Sequence, residues 1–120
     1  MTADGVKIVY PVRKLAALSW DAFVSHWNTT HADLARTMPG LRGYSINIAS
    51  SEQRGPRPFD GYAMLRFDSR EAAKSAWGTP EGVATAQDGT LFMDRPDALM
   101  VTERVVVAAG HASANEVGRP

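Results

Sequence analysis

The chain has 120 residues, 44% hydrophobic and 22% charged, with a formal net charge of zero and no cysteine. That length suits one domain with a core of modest size. The charge balance leaves no basic footprint for nucleic acid and no polybasic patch for a membrane, and the missing thiols exclude disulfides, a thiolate nucleophile and zinc–thiolate sites.

In chain order, Met1–Gly5 has neither a basic stretch nor an apolar one, and no run is long enough to span a bilayer, so a cytoplasmic protein is expected. Val6–Val12 is β-rich and predicts a strand, with Pro11 marking its end or an edge. Arg13–Leu18 is a connection. Ser19 is a candidate N-cap, Asp21 suits the first turn, and the helix they open runs to about Thr37, where Pro39-Gly40 stops it. Leu41–Ala49 predicts a second strand, Ser50–Pro58 an exposed polar loop, and Phe59–Phe67 a third strand. Asp68 or Ser69 caps a second helix over Arg70–Trp77, and Gly78-Thr79-Pro80 breaks it. Glu81–Asp88 predicts a short helix, Gly89–Ala98 is irregular, and Leu99–Val107 predicts a last, β-branched strand. A domain over 1–107 is therefore expected, with a flexible tail over 108–120.

The order strand–helix–strand–strand–helix–strand is a ferredoxin-like βαββαβ plan, an α+β fold with helices on one face of a four-stranded antiparallel sheet. Ala63-Met64-Leu65 and Val105-Val106-Val107 are apolar on both sides, so the second face also asks for cover. A homodimer with its two sheets face to face would supply it.

The first helix carries the main chemical signal. At about 100° per residue from Trp20, Trp27 falls near −20°, Val24 near 40°, Met38 near zero and His31 near 20°, while His26 falls near −120° on the flank. A histidine in the middle of an apolar face is a candidate acid–base, or else a core histidine bonded to a carbonyl or a tyrosine. Tyr44 and Tyr62 are candidate phenols for a substrate oxygen. Tyr10, Asn47, Met64, Phe67, Trp27 and Trp77 are candidates for a pocket wall, though large aromatics at such spacing are commonly plain core. His26 and His31 are five apart, which puts them on different faces of an α-helix, so no metal site is expected. There is neither a nucleophile elbow nor a glycine-rich phosphate loop.

His26-Trp27-Asn28-Thr29-Thr30-His31-Ala32-Asp33-Leu34-Ala35 followed by Met38-Pro39-Gly40-Leu41-Arg42-Gly43-Tyr44 resembles the hallmark of the EthD family. Phe59-Asp60-Gly61-Tyr62-Ala63, Phe67-Asp68-Ser69 and Ser75–Gly82 resemble its second half, and the likeness spans about residues 6–107. The resemblance implies a dimeric α+β barrel, a homodimer with a pocket in each subunit between sheet and first helix, and His31 at the family's characteristic histidine. Such relatives include a protein associated with ether-degrading oxygenases, a lactone methyl-isomerase and polyketide decarboxylases or dehydratases. Wider relatives include cofactor-free monooxygenases, aromatic cyclases and haem proteins. The leading expectation is an enzyme using no cofactor, in which His31 moves a proton on a small cyclic, aromatic or polyketide-like substrate. The alternatives are a cofactor-free monooxygenase of a phenol, or a non-catalytic binding protein that serves an oxygenase.

Overall fold

The computed structural model describes residues 5–50, 56–94 and 97–109. Its sheet is built around β1 (Val6–Lys14). β3 (Gly61–Phe67) lies antiparallel beside β1, from Val6 opposite Phe67 to Val12 opposite Gly61. β2 (Gly43–Ile48) pairs antiparallel with the outer edge of β3. The other edge of β1 is shared by two short strands, β4 (Met93–Asp94) opposite Arg13 and Lys14, and β5 (Leu99–Val101) opposite Lys7–Val9. Pro11 therefore does not end the strand. It falls between the two stretches paired on that edge, where the ladder is interrupted and a missing N–H is tolerated.

Alternation along the strands sorts their side chains into two faces. Ile8, Tyr10, Val12, Ala63, Leu65 and Phe67 are buried on the inner face, under the helices. Val9, Pro11, Tyr62, Met64 and Arg66 lie on the outer face and are only half-buried. Against the inner face pack Phe23, Trp27, Met38 and Phe92, all buried. This is the ferredoxin-like α+β fold, with its helices on one face of an antiparallel sheet. No helix among the described residues is long and apolar enough to cross a membrane.

The first helix is not a single α-helix to Thr37. It consists of α1 (Trp20–His26), a π-turn (Trp27–His31) and α2 (Ala32–Ala35). Ser19 caps its start by accepting from the Ala22 N–H. In the π-turn the Ala32 N–H reaches back to the Trp27 carbonyl, five residues earlier. The Thr29 hydroxyl donates to the Ser25 carbonyl at 2.7 Å, a back-bond of the kind that bends a helix and here adjoins the widened turn. After α2 the chain turns at Gly40, whose φ of 83° suits a residue without a Cβ.

α3 (Arg70–Trp77) and α4 (Pro80–Gly89) begin at Ser69 and Thr79, whose side-chain oxygens accept from Ala72 and Gly82 N–H groups. Gly61 is needed for close packing: a Cβ there would stand 2.5 Å from the Asn47 carbonyl oxygen and 3.0 Å from the Trp27 ring. The stretch expected to be irregular contains β4. The last strand ends at Val101 rather than Val107. Val101 lies opposite Lys7, so the next residues run past the start of β1, where Gly5 at φ 59° turns the backbone. Val105, Val106 and Val107 are accordingly exposed. Residues 51–55 of the expected loop and 110–120 of the expected tail, with His111, lie outside the described residues.

Candidate functional site

Between the inner face of the sheet and the first helix lies a cavity of about 20 Å³, room for about one water. Its walls include Tyr10 from β1, Tyr44 from β2, Trp27 and His31 from the π-turn, Trp77 from the end of α3 and Met93 from β4. The lining is mostly hydrocarbon and aromatic, and the polar atoms that reach it are few enough to follow singly.

His31 is 7% exposed. Its Nδ1 lies 2.8 Å from Oδ2 of Asp88, in the last turn of α4. Asp88 is 8% exposed. As a carboxylate Asp88 only accepts, so His31 carries a proton on Nδ1 and Nε2 is the nitrogen turned away from Asp88. His26 approaches the same carboxylate from the other side, its Nε2 3.0 Å from both Oδ1 and Oδ2. The two imidazoles also share one apolar support, with ring centroids 4.8 Å and 4.9 Å from that of Phe92.

This corrects the expected placement of His26 on a flank away from His31. Five residues of α-helix turn through about 500°, leaving the two side chains about 140° apart. The π-turn needs more residues for each turn, so residues five apart come back to the same side. Among the described residues no group of three His, Asp or Glu side chains is arranged to hold a metal ion. The two histidines bond to the carboxylate and do not converge with it on an ion.

Tyr44 supplies the second polar feature. Its hydroxyl is buried and makes no hydrogen bond of good geometry among the described residues, the Trp27 indole N–H approaching it without forming one. Burying such a group unpaired costs about 1–3 kcal/mol, and an exception of this kind calls for an explanation. Burial pushes the Tyr44 phenol above its ordinary range; the nearby Trp27 indole and the Arg36 charge offset part of that rise. The phenol therefore stays an O–H donor at neutral pH. Tyr10 accepts from the Trp77 indole N–H at 2.8 Å, which ties α3 to β1 across the cavity.

Of the candidates named from sequence, the fold gathers His31, Tyr44, Tyr10, Trp27 and Trp77 around this cavity. Phe67 is fully buried in the core and does not line it. Tyr62, Asn47 and Met64 are on the outer face of the sheet, because Ala63, Leu65 and Ile46 take the inner positions. Asn47 there donates to the Tyr62 carbonyl and the Ser45 hydroxyl. Asp88 was not singled out. The sequence signal for it is slight: an acid in the last turn of a helix, where the helix dipole opposes it.

Residues 16–96 match the model of the EthD domain family. A Rhodococcus erythropolis relative, described as an uncharacterized 11.0 kDa protein in the thcB-thcC intergenic region, is 26% identical over 86 residues, covering 72% of this chain and 84% of that one. The crystal structure of an ethyl tert-butyl ether d (EthD) family protein from Bacillus halodurans superposes with a TM-score of 0.66 at 22% identity, over 82% of this chain and 99% of that one. A dimeric ferredoxin-like protein from Thermobifida fusca gives 0.64 at 17% identity, over 86% and 96%. SnoaB from Streptomyces nogalater, described as a cofactor-independent oxygenase, gives 0.58 at 18% identity, over 89% and 100%. At such identities the structural likenesses speak to fold alone.

Proposed function

This chain belongs to the EthD domain family, and from that premise we propose that it is an enzyme moving a proton on a small cyclic, aromatic or polyketide-like substrate. The observation that carries the proposal is a buried His31 at the cavity wall, fixed through Nδ1 by Asp88, in the same cavity as the buried Tyr44 hydroxyl; the cavity must widen from about 20 Å³ to admit such a substrate. His31 Nε2 takes a proton from a carbon next to a carbonyl. The C–H electron pair moves to the oxygen as an enolate, and the Tyr44 O–H donates to that oxygen. Returning the proton to another carbon completes an isomerisation. Loss of a β-hydroxyl as water, with the proton returned by His31, gives dehydration, and attack of the enolate on a second carbonyl, whose oxygen takes that proton, gives cyclisation. In decarboxylation the C–C pair left by departing carbon dioxide forms the enolate instead, and a protonated His31 delivers the proton to its carbon. All four begin or end with the same proton on His31, and none requires a resident cofactor.

A second reading uses the same base on a phenol, whose phenolate would then react with molecular oxygen. The fold shared with SnoaB supports keeping it, and its turnover would stop without oxygen. In a binding protein, by contrast, ligand affinity would persist with no product formed. We also propose that the chain acts as a homodimer through the outer face of its sheet. The half-buried Val9, Tyr62 and Met64 on that face, and the dimeric Thermobifida fusca protein, support this.

The test starts from native mass spectrometry of the protein purified from its own host, which identifies the small molecule it carries. That molecule is then incubated with protein in deuterium oxide and followed by NMR. The expected result is deuterium at one carbon, or product, with the rate on the order of 10²–10⁴-fold lower in His31→Ala of unchanged fold. Equal rates for the two proteins would overturn the assignment of His31.

A further inference from the structure

We propose that His26 is a positioning residue for His31, acting through Asp88. The carboxylate lies in the last turn of α4, where nothing in the helix itself favours a negative charge. A carboxylate bonded to a single imidazole can rotate about its side-chain torsions. Here the His26 Nε2 sits at 3.0 Å from each oxygen, so its N–H straddles the carboxylate and fixes its plane. Oδ2 is thereby presented to His31 Nδ1 at 2.8 Å. The arrangement is graded in exposure. His26 has 28% of its side chain open to solvent, while Asp88 and His31 have 8% each. His26 thus braces the buried pair from the rim and is absent from the cavity lining.

No other charged side chain competes for this role among the hydrogen bonds and ion pairs of the described residues. On α2, Asp33 and Arg36 face solvent and pair with each other at 3.6 Å. On β1, the Lys14 ammonium is occupied by the Leu15 and Leu18 carbonyls. The phenols of Tyr10 and Tyr44 face the cavity from β1 and β2. The Phe92 ring packs against both imidazoles and limits their tilt. The π-turn is what makes the brace possible, since it alone brings residues 26 and 31 to one side of the helix.

The consequence for catalysis rests on the reading of His31 as the acid–base; the positioning does not, and the experiment separates the two. The full chain, labelled with nitrogen-15 in histidine, is examined by NMR at about pH 9, above the ordinary imidazole range. His31 is expected as one tautomer with its proton on Nδ1. His26→Gln, whose amide N–H can replace the ring N–H, is expected to keep that signature. His26→Phe is expected to lose it and show a mixture of tautomers, with an otherwise native amide spectrum. If His26→Phe does not fold, His26→Ala takes its place. A pure Nδ1–H tautomer in His26→Phe or His26→Ala, or the same loss in His26→Gln, would overturn the proposal. Where turnover is measurable, kcat is expected to fall in His26→Phe with KM little changed. Loss of the single tautomer with no effect on turnover would leave the positioning intact and refute the role of His31 in the chemistry.

Discussion

Asp88 is the residue on which the site depends, and it is the one the sequence hides best. A buried carboxylate is stable only when paired, and this one has two imidazole donors. Read along the chain, Asp88 is one acid among 13 acidic residues, 57 positions from His31. Nothing local marks it as buried. His31 was legible because one helix carries both the residue and the apolar stripe that shows where it points. Tyr44 was legible as a candidate phenol, and Tyr10, Trp27 and Trp77 as wall candidates, but parity alone does not say which face of a strand is the inner one. For that reason nothing in the sequence showed that Tyr62 and Met64 lie on the outer face, away from the cavity. Asp88→Asn gives a prediction at this scale. The amide still offers an oxygen but adds N–H hydrogens facing two ring N–H donors, so His31 loses its fixed tautomer. Turnover is expected to fall on the order of 10²–10⁴-fold, as removal of a tautomer-fixing carboxylate does elsewhere. Activity within a factor of about two of wild type would show that the tautomer does not limit the reaction.

Two short segments place these residues, and they differ in how visible they were. The caps of α3 and α4 follow from Ser69 and Thr79, each just before a run of helix-formers, and α4 also has Pro80 in its first turn. The π-turn left no such mark. Asn28, Thr29 and Thr30 read as the polar face of an ordinary helix, and they are exposed in the fold. The wider turn depends on the i to i+5 bond from Ala32 to Trp27 and is accompanied by the Thr29 back-bond; neither has a composition signature. Because α4 carries Asp88 toward the helix bearing His31, its start matters less to the site than its packing. Thr79→Ala removes the oxygen that accepts from Gly82 N–H. It is expected to cost about 1 kcal/mol of stability by chemical denaturation while leaving the His31 tautomer unchanged. A loss of the tautomer would mean that the α4 terminus, and not the Phe92 and helix contacts, sets the position of Asp88.

On the scale of the whole molecule, the order of elements was readable because each strand and helix is bounded by its own turn chemistry. The extent of the last strand was not, since it depends on where its neighbour begins. The chain leaving β5 is held to the outer face by Glu103, which accepts from Lys7 and Arg66 at 2.8 Å each. The Lys7 and Arg66 cations hold the Glu103 carboxyl below the ordinary glutamate range. A depressed carboxyl stabilises the folded state above its unfolded value, and that contribution is lost as pH falls through the folded one. Wild type is therefore expected to be more stable than Glu103→Gln at pH ~7, with the gap closing toward pH ~3. A gap that stays constant between those values, in urea titrations, would exclude the ion pair as its source.

The same outer face carries the proposed homodimer. Val9 lies opposite Met64 on one side and Leu99 on the other, so three apolar side chains stand next to each other across β3, β1 and β5. Leu99 is 62% exposed. Two such faces packed together would bury this stripe, as face-to-face sheets do in other folds. Met64 forms its β3 end, while its neighbours Ala63 and Leu65 hold the core from the other side of the strand. Met64→Asp should then spare the fold and break the association, because two carboxylates related by the dimer axis would be buried without partners. Sedimentation is expected to give twice the chain mass of 13.0 kDa for wild type and the single mass for Met64→Asp, with an unchanged helical signal. A wild type that sediments as the single chain at every concentration tested would refute the dimer. A Met64→Asp protein that still sediments as a pair would move the interface off this face.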